Sequence, residues 1–283
     1  MPDHTIAVDG VRVPRLLYGT AWKGDATARL TALAIVQGFR GIDTANQRKH
    51  YHEAGVGQGI REAAAGGPVT RRDLFLQSKF TFRRGQDHRL PYDPAAPVAE
   101  QVAQSFASSL EHLGADAVDS YVLHGPSSRG GLGPDDWAAW RAMEAIHAGG
   151  RARLLGVSNV SLAQLQGLCR EARVRPRFVQ NRCYAALGWD REVRRFCAAN
   201  GVLYQGFSLL TANPRVTAHP ALIGLAGRHG RTVNQMVFRF ALDAGMVALT
   251  GTADAGHMAE DLAVFDFRLE PDEVAAIEAL IAP

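Results

Sequence analysis

Cysteine is scarce in this 283-residue chain: Cys169, Cys183 and Cys197 are the three, and no pair has CxxC spacing. So few thiols argue against a disulfide framework or a zinc site and suit a reducing compartment, so a cytoplasmic location is expected. Cys183 has no base partner nearby in sequence and reads as an ordinary buried thiol. No apolar run approaches the roughly 20 residues that a membrane span needs. The opening Met1-Pro2-Asp3-His4 lacks the basic-then-apolar pattern of a secretory signal. No membrane partner is therefore expected. Cationic residues are not massed either. The net charge is +3, and Arg71-Arg72 and Arg83-Arg84 are short enough to be solvated faces. That argues against a nucleic acid partner, while mild positive charge suits an anionic cofactor. The glycine-rich run Gly55-Val56-Gly57-Gln58-Gly59 is not GxGxxG and does not directly follow a strand, so it is no dinucleotide fingerprint. Linkers, low-complexity tracts and composition breaks are also missing, and one domain over 1–283 is expected.

What is present is alternation. Thr5-Ile6-Ala7-Val8, an Asp9-Gly10 turn and Val11-Arg12-Val13 read as a short hairpin. After it, apolar runs at 16–18, 41–43, 74–78, 120–123, 154–158, 178–180, 203–205 and 246–249 read as strands. Helix-period stretches lie between them at 28–39, 98–113, 137–148, 161–172, 190–199 and 233–244, with Ser161 and Asp190 as start signals. Eight strands with intervening helices predict an α/β fold, a closed (β/α)8 TIM barrel behind the N-terminal hairpin. A doubly wound open sheet is the runner-up. In a barrel the active site is assembled at the C-terminal ends of the strands.

Three of those ends carry charge-bearing or titratable groups directly after apolar runs: Asp43, Lys79 and His124. A charge closing a buried strand is costly unless it is paired, so the three together point to a convergent polar cluster. Around them the chain reads YGTAW at 18–22, GIDTA at 41–45, YHEAGVGQGI at 51–60, SKF at 78–80, DSYVLHGP at 119–126, GVSN at 156–159, VQN at 179–181 and FDFRL at 265–269. In order and rough spacing these motifs resemble the aldo-keto reductase family over nearly the whole chain.

The resemblance implies an NAD(P)H-dependent oxidoreductase that reduces aldehydes or ketones, with Asp43, Tyr51, Lys79 and His124 as its catalytic tetrad. Tyr51 would donate the proton as hydride arrives from C4 of the nicotinamide. An ordinary phenol has a pKa of about 10, so Lys79 is expected to lower it, with Asp43 holding the ammonium and His124 orienting the carbonyl. Counting back rigidly from Val56-Gly57 puts His50 in the tyrosine slot, whereas a gap in 46–50 puts Tyr51 there. The phenol's fitness as a proton donor favours Tyr51.

The same resemblance implies a cofactor site from Gly19, Thr20, Ser158, Asn159, Asn181, Phe207, Thr252, His257, Glu260 and Asp261. Asn181 falls in the family's glutamine slot with Gln180 before it, which leaves a one-position swap open. Phe207 falls where a ring stacks on nicotinamide, with core packing as the alternative. Where relatives favouring NADPH carry a lysine and an arginine for the 2′-phosphate, this chain has Gly251 and His257. NADPH is the expected cofactor, with NADH or dual use open. Trp22 and Trp137 are expected substrate-pocket walls, and 126–134 and 209–220 the pocket loops. The chain ends at Ala282-Pro283 after the amphipathic stretch 271–281. Without the tail of longer relatives, an open site taking varied small carbonyl substrates is expected, in a monomer or weak oligomer. The rival readings are a Schiff-base aldolase using Lys79 and a cofactor-binding regulatory or redox-sensing barrel with little turnover.

Overall fold

Asp9 and Gly10 adopt φ of 47° and 76°, the positive values that a two-residue hairpin turn of the primed type requires. They join β1 (Thr5–Val8) to β2 (Val11–Pro14) in the expected antiparallel pair. The computed structural model describes residues 4–280; expectations resting on Met1 to Asp3 and on Ile281 to Pro283 lie outside the described residues.

The barrel strands are β3 (Leu16–Gly19), β4 (Gly41–Asp43), β5 (Phe75–Phe80), β6 (Val118–Leu123), β7 (Ala152–Ser158), β8 (Phe178–Arg182), β9 (Leu203–Phe207) and β10 (Val247–Thr250). Neighbours in that order pair in parallel, and β10 returns to pair with β3. Closure removes the open-sheet alternative. Each strand falls on an expected apolar run. Their ends differ where pairing carries the strand further: β5 continues past Ser78 because Lys79 and Phe80 face Val122 and Leu123 of β6. Val11 and Val13 of the hairpin bury against Phe75, Phe178 and Val247, the first residues of three strands. The hairpin therefore stoppers the floor of the barrel, away from the strand ends that carry the polar cluster. Arg177 fixes its turn through two bonds to the Asp9 carboxylate, 2.7 and 3.0 Å.

The helices around the barrel are α1 (Thr27–Gln37), α2 (Glu53–Gly66), α3 (Val98–Leu113), α4 (Pro134–Ala148), α5 (Leu162–Glu171), α6 (Arg191–Ala199), α7 (Pro214–Thr217), α8 (Pro220–His229), α9 (Val233–Asp243), α10 (Ala255–Leu262) and α11 (Pro271–Ala279). Ser161 caps α5 as expected, accepting from the Gln164 amide. Asp190 precedes α6 but makes no cap bond. Its carboxylate instead accepts from Asn181 Nδ2 and Tyr204 Oη, both at 2.9 Å. Among the described residues no helix is long and apolar enough to cross a membrane.

The glycine-rich run belongs to α2. Glycine disfavours a helix by about 1 kcal/mol per residue relative to alanine, and tertiary contact overrides that here. A Cβ on Gly57 would overlap the carbonyl oxygen of His112 in α3, and one on Gly59 that of Ala28 in α1. The glycines let three helices approach closely and cradle no phosphate. Gly57→Ala is expected to destabilise the fold by about 1–3 kcal/mol through overpacking, read from the denaturant midpoint. A variant as stable as the wild type would show that the α2–α3 contact is looser than described.

Candidate active site

Asp43 ends β4 and Lys79 lies near the end of the adjacent β5, so parallel pairing sets their side chains side by side at the barrel mouth. Lys79 is 0% exposed. Its Nζ donates to both Asp43 carboxylate oxygens at 2.7 Å and to the Thr44 carbonyl at 2.8 Å. All three ammonium hydrogens are thereby taken, and a buried, fully bonded amine is not placed to attack a carbonyl. The Schiff-base reading is disfavoured on that geometry. Burial pulls the ammonium's pKa down, opposed by the charge and hydrogen bond of Asp43 and by Glu53.

Beneath the pair lies a ring of buried amides that sequence reasoning missed. Gln77 and Gln180 each donate to Asp43 Oδ1, at 2.7 and 3.0 Å, and to Gln205 Oε1, at 2.8 and 2.9 Å. Gln205 Nε2 returns a bond to Gln77 Oε1 at 3.1 Å. Strand register explains the arrangement: Asp43 pairs with Gln77, and Gln180 with Gln205. Gln77 stands two residues before Lys79, hence on the same inward face, and that spacing is the signal that would have found it.

Tyr51 and His124 complete the cluster. The Tyr51 ring centroid lies 5.3 Å from Lys79 Nζ, and the ring meets His124 edge-on at 5.9 Å. His50 also lines the cleft, but its ring lies tilted against Trp22 at 3.9 Å with Nδ1 bonded to Gln47 Oε1 at 2.8 Å. The geometry therefore groups Tyr51, and not His50, with Asp43, Lys79 and His124. The expected lowering of the phenol's pKa is not met. Burial raises it well above the ordinary value, Asp43 adds to the rise, and the Lys79 charge is already engaged by Asp43. His124 bonds Thr81 Oγ1 through Nδ1 at 2.7 Å. Burial, then the charges of Lys79 and His50, hold its pKa well below the ordinary imidazole value, so the ring is neutral.

A cleft of about 790 Å³ runs from Tyr51 and His124 past Ser158, Asn159, Gln180 and Phe207 to Thr252, His257 and Asp261, with Gly19 and Trp22 in its wall. Asn159 donates to the His124 carbonyl at 2.8 Å. Besides the fully buried Lys79, four expected site residues lie off this cleft. Thr20 is buried, its amide and hydroxyl both 3.0 Å from the Asp43 carbonyl. Asn181 points outward from β8, bonded to both backbone groups of Val160 and to Asp190; by strand alternation Gln180 takes the inward place. Trp137 packs against the main core. Glu260 offers only its carbonyl, to Gln235. The 209–220 loop reaches the cleft through Leu209, Leu210 and Thr211.

At the far end, Gly251 and His257 leave few fixed cations, but Lys23 was missed. Its Nζ donates to the Gly251 carbonyl at 2.5 Å and lies 3.8 Å from where a Cβ on Gly251 would sit. A cation thus reaches across from the loop after β3 to the position where the glycine leaves a gap. Buried Asp261, bonded by Thr250 Oγ1 at 2.6 Å, is pushed up to about 6, chiefly by burial.

The fold agrees with what comparison finds: the sequence model of the Aldo/keto reductase family matches residues 17–282. The chain belongs to the aldo-keto reductases. It is 31% identical over 274 residues to Uncharacterized oxidoreductase YtbE of Bacillus subtilis, covering 96% of this chain and 90% of that one. It is 29% identical over 275 residues to Glyoxal reductase of the same organism, with the same coverage. Among solved structures, the Bombyx mori aldo-keto reductase AKR2E4 in complex with NADP superposes with a TM-score of 0.81 at 28% identity, covering 95% of this chain and 90% of that one. An aldo-keto reductase from Brucella melitensis gives 0.82 at 26%, covering 97% and 98%.

Two outcomes are expected of this aldo-keto reductase site. Gln205→Met should cost about 1–3 kcal/mol by leaving buried amides unpaired, and an unchanged denaturant midpoint would show that the ring bears no load. Asp261 has a folded pKa raised above its unfolded value. Its favourable contribution is present below about pH 4 and lost as pH rises through about 6. Relative to wild type, Asp261→Asn should therefore gain up to about 3 kcal/mol between pH 4 and 7. Parallel stability curves over that range would refute it.

Proposed function

We propose that this protein reduces aldehydes or ketones to alcohols with NADPH, NADH serving as an alternative donor, and that Tyr51 delivers the proton. The observation that carries the reading is the placement of a neutral, half-buried phenol against Lys79 and His124 at the mouth of the cofactor-sized cleft. A reduced nicotinamide bound there would supply hydride to the carbonyl carbon. Tyr51 Oη gives its proton to the carbonyl oxygen, and the raised phenol pKa keeps that proton in place throughout the neutral range. His124, neutral and fixed by Thr81, hydrogen-bonds the carbonyl oxygen and orients it. Ser158, Asn159 and Gln180 suit a carboxamide, which needs both donors and acceptors, and Phe207 suits the face of a ring. Lys23, beside Gly251, suits a phosphate oxygen. The relative solved with NADP supports the choice of cofactor. With Gly251 bare and His257 exposed, a strict demand for the 2′-phosphate is not built in.

Tyr51→Phe should lower kcat for reduction by about a hundredfold or more while changing the Kd of NADPH, read by fluorescence titration, less than about twofold. With the phenol pKa raised and the imidazole pKa depressed, wild-type kcat should stay flat from about pH 6 to 9. A variant that keeps its turnover would overturn Tyr51 as the donor. Absence of reduction by wild type with either cofactor would overturn the reductase reading.

A further inference from the structure

A second cavity, of about 650 Å³, adjoins the catalytic cluster and shares Tyr51, His50 and Trp22 with the cofactor cleft. Its charged wall comes largely from residues 44–52, the lengthened connection between Asp43 and Tyr51. That connection is rigidly held. Asn46 donates to the Ser105 carbonyl at 2.9 Å and accepts from Gln86 at 2.7 Å, while Gln47 donates to the Gly85 carbonyl at 2.6 Å. Arg89 donates to the Arg48 carbonyl and Trp22 to that of His50, both at 2.7 Å. Every tie runs through backbone or an amide side chain, so the loop's cationic heads are spare.

Those heads set the charge of the cavity. Arg48 and Lys49 line it without a carboxylate partner among the described residues, whereas the Arg89 guanidinium is engaged by Asp87. The carboxylates in the wall are Asp25 and Glu53. Glu53 is 4% exposed, with one carboxylate oxygen accepting from Ser78 and the other 3.5 Å from His112 Nδ1. Burial and Lys49 pull the His50 pKa below the ordinary imidazole value, against the opposing pull of Asp87. Two unpaired cations therefore face one available anion, Asp25, beside the residue that meets the carbonyl.

Resting on the reductase reading, we infer that the substrates are aldehydes or ketones bearing a carboxylate or similar oxyanion several atoms from the carbonyl, with Arg48 as the anion's partner and Lys49 supporting it. A guanidinium suits this task because its planar fork matches the two oxygens of a carboxylate. The neutral walls beside Tyr51 take the part of the molecule between the reacting carbon and the anion.

The test compares 4-carboxybenzaldehyde with benzaldehyde, two aldehydes of similar reach that differ in charge. Wild type should favour the carboxylated aldehyde in kcat/KM by about tenfold at low salt, and the preference should shrink as ionic strength rises. Arg48→Ala should erase most of it through KM and leave benzaldehyde within about twofold; Arg48→Lys should restore part. Equal handling of both aldehydes by wild type, or an equal effect of Arg48→Ala on both, overturns the assignment and leaves the reductase reading intact. Binding is read separately, from quenching of Trp22 fluorescence by 4-hydroxymethylbenzoate and by benzyl alcohol. If neither aldehyde is turned over but the anion binds at least about tenfold tighter in an Arg48-dependent way, the reductase reading fails and the anion site stands. If the two bind alike, the anion site fails as well.

Discussion

Asp43 and Lys79 are buried side by side at the ends of adjacent strands, and two charges removed from water must find their hydrogen bonds within the protein or destabilise it. The surroundings meet that demand. The Thr44 carbonyl takes the ammonium's third hydrogen, and Gln77 and Gln180 bond the carboxylate. Gln205 aligns both amides from the opposite side. A layer of the barrel interior that branched apolar side chains commonly fill is here polar because of this one pair. The same pair removes Lys79 from nucleophilic chemistry and leaves the neighbouring phenol protonated.

The position of Tyr51 depends on packing well outside the cluster. Tyr51 stands two residues before α2, and α2 is fixed by close approach to α1 and α3 at its glycines. Its first residue, Glu53, accepts from Ser78 of β5, next to Lys79 in sequence. Backbone contact below and a buried hydrogen bond above thus fix where the lengthened loop re-enters the fold.

Much of this was legible in the sequence, and what was not has physical reasons. Short apolar runs marked each barrel strand because a parallel sheet covered on both sides buries both faces. Asp43, Lys79 and His124 stood out because charge-bearing groups rarely close such runs without a partner. The α2 helix was obscured because glycines chosen for contact erase the hydrophobic period that betrays a helix. Asn181 was misplaced by one position, which in a strand reverses the face; Gln180 points inward where Asn181 does not. Lys23 could not be read locally, since its partner Gly251 lies on the far side of the closure between β3 and β10. The amide ring could have been read, because Gln77 and Gln205 lie two residues from Lys79 and Phe207.

The closure of β10 on β3 has a kinetic meaning. The Asp43–Lys79 pair joins residues close in sequence, but its amide support comes from β8 and β9, and the wall is sealed by a strand near the end of the chain. As the chain emerges from the ribosome, both charges are available long before the groups that allow them to leave water. Contacts of such long sequence separation form slowly, so the polar cluster at the barrel mouth is completed late in folding. Until the final strand docks, the nascent barrel holds its most polar residues in a solvated, unsealed trough.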